Sequence, residues 1–171
     1  MDVAALPGVE VVHDAFAFPW PFADAEFDRI LCRHILEHVP HEVGIRPYRD
    51  GFLVFLEECH RLLRPGGLLE IVTPHPDSAN TIADPTHTRV VHPRNFDCLN
   101  PDREYEFRHY TKARFRVIDS SVQAFEVLAP EFLPLGKSRL GLTTHLVLRL
   151  PALRGILRGR PMEQRFVLEK A

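Results

Sequence analysis

From Asp50 onward the apolar residues fall at Phe52, Phe55, Leu56, Cys59, Leu62 and Leu63, with Glu57, Glu58 and Arg61 between them. Steps of three and four residues gather the apolar set on one face of a helix and leave the charges opposite. This helix is expected to stop at Arg64-Pro65-Gly66-Gly67, because proline cannot continue it and glycine accepts the positive φ of a helix end. Residues 68–72 (LLEIV) then read as a buried strand, and residues 27–32 (FDRILC) as an earlier one. Strand, helix and strand in that order imply two parallel strands joined by a crossover, and hence an α/β layered sheet.

The flanking segments fit this frame. Residues 9–13 (VEVVH) are expected to form a first strand, and Pro19 and Pro21 make residues 17–22 an apolar loop. Residues 34–39 form a short helical turn that Pro40 ends, and residues 115–119 and 165–169 supply two late strands. Residues 146–157 read as a basic amphipathic helix broken near Pro151, with its leucines on the sheet and its arginines in water. Residues 74–113 lack periodicity, and a connection of that length in a compact domain usually has a functional use.

At 171 residues the chain is one domain or part of a larger one, and with 45% hydrophobic and 26% charged residues it is globular rather than disordered. No apolar run reaches the roughly 18 residues of a membrane span, and Met1-Asp2 does not open a signal peptide, so a cytoplasmic location is expected. A net charge of -2 gives no reason to expect nucleic acid as a partner, although residues 137–171 carry eight Lys/Arg against two Asp/Glu. Cys32, Cys59 and Cys98 lie far apart, odd in number and without CxxC spacing, and are read as reduced thiols.

Three sets of residues could carry chemistry. Asp14 follows a strand, where its carboxylate either closes an Asx turn or accepts from a ligand amine or hydroxyl. His34-Ile35-Leu36-Glu37-His38 spells HxxEH, the zinc-peptidase pattern, but it leaves a strand and meets Pro40 within about one and a half turns. The alternatives are a ligand mouth or histidines that only cap the turn. In the long loop His75, Asp77, Asp84, His87, Arg89 and His92 could bind and deprotonate a substrate or form a solvated lid. A metal set of Asp77, Asp84, His87 and His92 lacks tight ligand spacing, and no metal is assigned.

The order Asp14, Pro19-Trp20-Pro21-Phe22, Phe27-Asp28, His34 to His38, Leu62-Leu63-Arg64-Pro65-Gly66-Gly67 and a strand ending in proline resembles the class I S-adenosylmethionine-dependent methyltransferases, type 11 group. The resemblance runs from about Asp2 to Pro76 and more loosely to Lys170. It implies a Rossmann-like sheet, mostly parallel, with a C-terminal antiparallel pair, and one partial methyltransferase domain over residues 1–171 with residues 74–113 as a substrate-side lid. S-adenosyl-L-methionine is the implied cofactor and a small molecule the implied acceptor of the methyl group, on oxygen, nitrogen or carbon. Asp2 would then grip the ribose, Asp14 and Ala15 the adenine side, and Trp20 and Phe22 an apolar wall. His38, with His75 or His87, would remove a proton. No GxG occurs, so the family's first strand and glycine-rich loop are expected to lie upstream of residue 1 or to come from a partner chain or second copy that completes the sheet. A non-catalytic, partner-binding relative is the second reading and a zinc peptidase the third.

Overall fold

The structure, a computed structural model, describes residues 1–42, 50–107, 109–127 and 159–171. Strand β1 (Phe27–Arg33) leads through a single 3-10 turn (Leu36–His38) toward helix α1 (Gly51–Leu62), which returns the chain to strand β2 (Leu63–Pro74). Short helices α2 (Asn80–Ala83) and α3 (Glu104–Phe107) and two further 3-10 turns fill the long connection. Strands β3 (Phe115–Val127) and β4 (Gly159–Lys170) complete a sheet of order β1-β2-β4-β3. The β1–β2 pairing is parallel, while β2–β4 and β4–β3 are antiparallel. The expected α/β class with its C-terminal antiparallel pair is therefore present.

Helix α1 begins where Asp50 accepts a hydrogen bond from the Phe52 N–H at 2.8 Å, which satisfies one of the free amides of the first turn. Its buried face carries Phe52, Phe55, Leu56, Cys59 and Leu62, as the spacing implies. These pack against Leu69 and Ile71 of β2 and Phe166 and Leu168 of β4 in one core. All three cysteines are free thiols, as expected.

Four expectations need correction. Residues 9–13 form no strand; only Val12 makes an isolated parallel bridge, to Asp2. The glycine pair does not separate helix from strand, because β2 starts at Leu63 directly after α1. Pro65, Gly66 and Gly67 instead form an irregularity inside β2, where the register passes from Phe27↔Leu63 to Arg29↔Leu68. Gly67 is required there, since a Cβ would lie 2.9 Å from the Arg64 carbonyl oxygen. Nor is the long connection only a lid. The 3-10 turn Pro93–Leu99 is capped by His92 and Asn95 and buries Phe96 and Leu99, so this stretch helps to build the core. Finally, Glu58, read as lying opposite the apolar face, is buried, and with Arg61 it engages the loop around Trp20. The expected helix at residues 146–157 lies outside the described residues.

An ionic row crosses all four strands. Glu70 on β2 accepts from Arg29 on β1 and from Arg165 on β4 at 2.6 Å, and Arg165 also donates to Asp119 on β3 at 2.9 Å. Hydrogen bonds from Arg165 and Arg29 pull the Glu70 carboxyl down from 4.5 to about 2. A carboxyl depressed by folding stabilises the native state above its unfolded value and loses that contribution as the pH falls. Glu70→Gln is thus expected to cost about 1–3 kcal/mol at pH 7 and to flatten the fall in stability between pH 4.5 and pH 2; urea titrations at pH 7 and pH 3 measure both. Phe96 sits 4.8 Å from the Phe166 ring and 5.8 Å from Phe52. Phe96→Ala should cost about 3–5 kcal/mol, whereas a detached lid would lose almost nothing.

Candidate functional site

Parallel pairing sends β1 and β2 out of the sheet at the same end, and the carboxyl ends of parallel strands are where such sheets place ligands. The last pairing, Arg33↔Val72, is extended by the His34 N–H donating to the Val72 carbonyl at 2.9 Å. His34 then turns with φ +52°, a left-handed conformation uncommon outside glycine. That turn drops the 3-10 segment against the chain leaving β2.

The segment holds Glu37, whose side chain is only 2% exposed. Its carboxylate accepts from the Thr73 hydroxyl at 3.0 Å and faces His34 Nδ1 at 3.1 Å. His34 Nε2 in turn lies 3.2 Å from Glu163 on β4. The loop after α2 straps over this turn: the Thr88 N–H donates to the Glu37 carbonyl, and Thr88 Oγ1 and Arg89 Nε both donate to the Val39 carbonyl. Arg89 also reaches Asp50 at 2.8 Å and so ties the strap to the start of α1.

The strap brings His87 to His38, with ring centroids 4.7 Å apart. Hydrogen-bond logic sets both tautomers. Thr86 Oγ1 gives its proton to Asp84 at 2.6 Å, so it receives from His38 Nδ1 at 3.1 Å. His87 Nδ1 lies 3.0 Å from the Thr81 carbonyl oxygen, which can only accept. Each ring therefore keeps its free lone pair on Nε2. A cavity of about 590 Å³ opens between these groups, lined among others by His34, Glu37, His38, Asp84, His87 and Glu163.

His75 is not among the residues lining that cavity. Its Nδ1 accepts the Asp77 N–H at 3.1 Å, so the neutral ring carries its proton on Nε2 and offers a donor where a base was expected. Asp77 and His92 also stand outside the cluster. The zinc-peptidase reading fails on geometry, because His34 leaves a strand and His38 closes a three-residue 3-10 turn, so the two do not share the α-helical face that pattern needs.

A second cleft, of about 340 Å³, lies beside β1 and is lined by Ala15, Trp20, Phe22, Phe27, Ile35 and Phe55, among others. Ala15, Trp20 and Phe22 thus line one cleft. Asp2 and Asp14 do not line it; Asp14 Oδ1 closes an Asx turn on the Phe16 N–H at 2.8 Å, and Asp2 Oδ1 accepts from Ala4. Trp20 is at once wall and core, stacked on Phe18 at 5.8 Å and edge-on to Phe55 at 5.2 Å.

The backbone of this proline-rich loop must be satisfied by something other than a ladder. Glu58 accepts from the Trp20 N–H at 2.7 Å, and Arg61 donates to the carbonyls of Trp20 and Phe22. Glu58 and Arg61 also pair with each other at 2.6 Å, so α1 grips the loop through a buried, hydrogen-bonded ion pair. Sequence reading missed this clamp. The available signal was an apolar loop whose two prolines leave its peptide groups without a sheet partner.

Residues 3–71 match the family model described as a methyltransferase domain. Over that stretch, which is less than half of the chain, the sequence is similar to that domain family. Among solved structures it is similar to a SAM-dependent methyltransferase from Archaeoglobus fulgidus, with 17% identity, 94% of this chain and 66% of that one covered, and a TM-score of 0.47. An S-adenosylmethionine-dependent methyltransferase from Mesorhizobium loti shows 14% identity, coverage of 92% and 68%, and a TM-score of 0.45. The chain spans about two thirds of the length of these two structures. No curated protein matches it. No helix among the described residues is long and apolar enough to cross a membrane.

Glu58→Ala is expected to cost about 2–3 kcal/mol, since it strands the Trp20 amide and part of Arg61. Trp20 is the single tryptophan, so the same change should shift its fluorescence to the red. An unshifted spectrum would mean that the clamp does not hold the loop.

Proposed function

We propose that the protein of which this chain is part transfers a methyl group from S-adenosyl-L-methionine to a small-molecule acceptor. One observation carries the reading: apart from Met1, every residue lining the cleft beside β1 falls within the stretch matched to the methyltransferase domain. The cleft also fits part of the cofactor. Its volume is at the lower end of ligand pockets, about 300–1,000 Å³, and its aromatic and apolar lining suits a purine ring.

In this reading Trp20 and Phe22 form the wall of the adenine pocket, and Ala15 leaves room for the ring where a larger side chain would intrude. Asp2 and Asp14 take the ribose and amine from the rim. The Asp2–Val12 bridge supports this, because it brings residue 2 alongside the chain that runs on to Asp14. Each carboxylate keeps a second oxygen beyond the one bonded to its own loop. S-adenosylmethionine, when bound, supplies a methyl group already activated by its sulfonium. The protein's residues then position the acceptor, exclude water and receive a proton where the acceptor has one to lose. His38 and His87 suit the last task through their free Nε2 atoms, and His75 does not.

The test is calorimetric titration of S-adenosylhomocysteine into the full-length protein, with Trp20 emission followed in parallel. Ala15→Leu should weaken binding at least about tenfold by filling the cleft, and Asp14→Ala by about tenfold, each decade being about 1.4 kcal/mol. Absence of binding by the folded wild-type protein would overturn the reading. Unchanged affinity in Asp14→Ala would remove that residue from the site.

A further inference from the structure

We infer that the cavity at the carboxyl ends of β1 and β2 holds a divalent first-row transition-metal ion, ligated by Glu37, His38 and His87. One donor atom from each of the three residues lies within 4.8 Å of the others. An ion with bonds of about 2.1 Å needs its donors about 3.4 Å apart. Side-chain adjustment of about an ångström therefore closes the set, and His38 and His87, each only partly buried, have room to make it.

Proximity alone would be weak evidence, and a second observation points the same way. Histidines that bind metals donate their other ring N–H to a carbonyl, carboxylate or water, which fixes the tautomer and aims the free nitrogen. Both rings have that arrangement here, His87 through the Thr81 carbonyl and His38 through Thr86. Glu37 is likewise oriented from behind, by the Thr73 hydroxyl and by His34.

The third argument is electrostatic. His87 Nε2, which carries a lone pair in the tautomer just derived, lies 3.9 Å from Asp84 Oδ2. Asp84 Oδ1 is the oxygen occupied by Thr86, so Oδ2 is a further acceptor with nothing donated to it by that residue. A cation bound at His87 Nε2 would therefore have a further carboxylate oxygen close by. Two imidazoles with one or two carboxylates form a borderline donor set, suited to Zn²⁺, Fe²⁺, Co²⁺ or Mn²⁺ and poor for the all-oxygen shell preferred by Ca²⁺ or Mg²⁺.

Three protein ligands leave a coordination position open to the cavity, where an oxygen-bearing acceptor could bind and be acidified. That use of the ion rests on the methyl-transfer reading, while binding of the ion does not. If the ion is bound, the Nε2 atoms of His38 and His87 hold it and no longer act as bases, so an acceptor acidified by the ion would release its proton to solvent.

The experiment is titration of Co²⁺ and Zn²⁺ into chelator-treated full-length protein, followed by visible absorption for Co²⁺ and calorimetry for Zn²⁺. One ion per chain is expected, with a Co²⁺ spectrum of nitrogen and oxygen ligands and no thiolate charge-transfer band. His87→Asn keeps a donor near the Thr81 carbonyl but removes Nε2, and His38→Asn does the same beside Thr86. Each should weaken binding by more than the roughly 10–100-fold that loss of an outer-shell partner costs, with the circular dichroism spectrum unchanged. His75→Ala and His92→Ala should bind as the wild type does. Failure of the folded wild type to take up either ion overturns the site, as does wild-type affinity in both asparagine variants. S-adenosylhomocysteine titrated into the same samples separates the two proposals: cofactor binding without metal uptake ends only the metal site, and metal uptake without cofactor binding ends only the methyl-transfer reading.

Discussion

The parallel register of β1 against β2 is the constraint on which the rest of the structure depends. Once Cys32 faces Ile71 and Arg33 faces Val72, both strands leave the sheet side by side. Their exits cannot continue straight, because each has to reach an element packed on the sheet. His34 resolves this by turning with φ +52°, and Leu36 is driven into the core while Glu37 follows it inside. The cost of bringing a carboxylate indoors is offset by Thr73, which sits on β2 one residue beyond the last paired position. The His/Glu cluster is therefore a consequence of strand pairing, and it would be lost by a slip of one residue between β1 and β2.

Charge inside this protein is handled in two ways that differ in purpose. The Glu58–Arg61 pair is fully engaged: its carboxylate and guanidinium satisfy each other and the backbone of the Trp20 loop. Nothing is left over to bind a ligand, so this pair is structural, and the guanidinium is held charged mainly by its hydrogen bond to Glu58. The cluster around Glu37, His38 and His87 is the opposite case, because hydrogen bonds occupy the backs of the groups and leave lone pairs on their fronts. Saturated polar networks rigidify a fold, whereas one that is saturated on one side only has capacity for a guest.

Sequence legibility followed the range of the interactions. The β1-α1-β2 unit was readable because an apolar repeat of three and four residues is a local pattern, and the late strands because β-branched and aromatic runs are local too. The helix end was misplaced because Pro65 and the two glycines were read as a stop, whereas β2 accommodates them as an irregularity in its pairing with β1. Residues 9–13 have strand composition, yet they make only one isolated bridge, between Val12 and Asp2, and composition cannot supply a neighbouring strand. Trp20, Phe22 and Ala15, which line one cleft, lie close together in the sequence and could be grouped from it. Glu58 was placed opposite the apolar face because helical periodicity records which side of a helix a residue is on and not what lies across from it. The meeting of His38 with His87 depends on a strap 49 residues further along, and no spacing rule reaches that far.

That strap links the two cavities physically. Arg89 donates to the carbonyls of Val39 and Pro40 on one side and to Asp50 on the other, and its guanidinium stands 5.6 Å over the Phe52 ring. Asp50 is the N-cap of α1, and α1 carries the Glu58–Arg61 clamp that fixes the aromatic wall of the cleft beside β1. A displacement of the strap would therefore act at both ends: it would part His87 from His38 and loosen the cap of the helix that holds Trp20. Its anchor is pH-dependent in one direction only. Although partial burial opposes it, the Arg89 guanidinium keeps the Asp50 carboxyl below its usual value. The anchor is intact above the ordinary carboxylate range and weakens only as the pH drops through the depressed value. The strap that sets His87 beside His38 is thus held fixed wherever the Asp50 carboxylate is ionised.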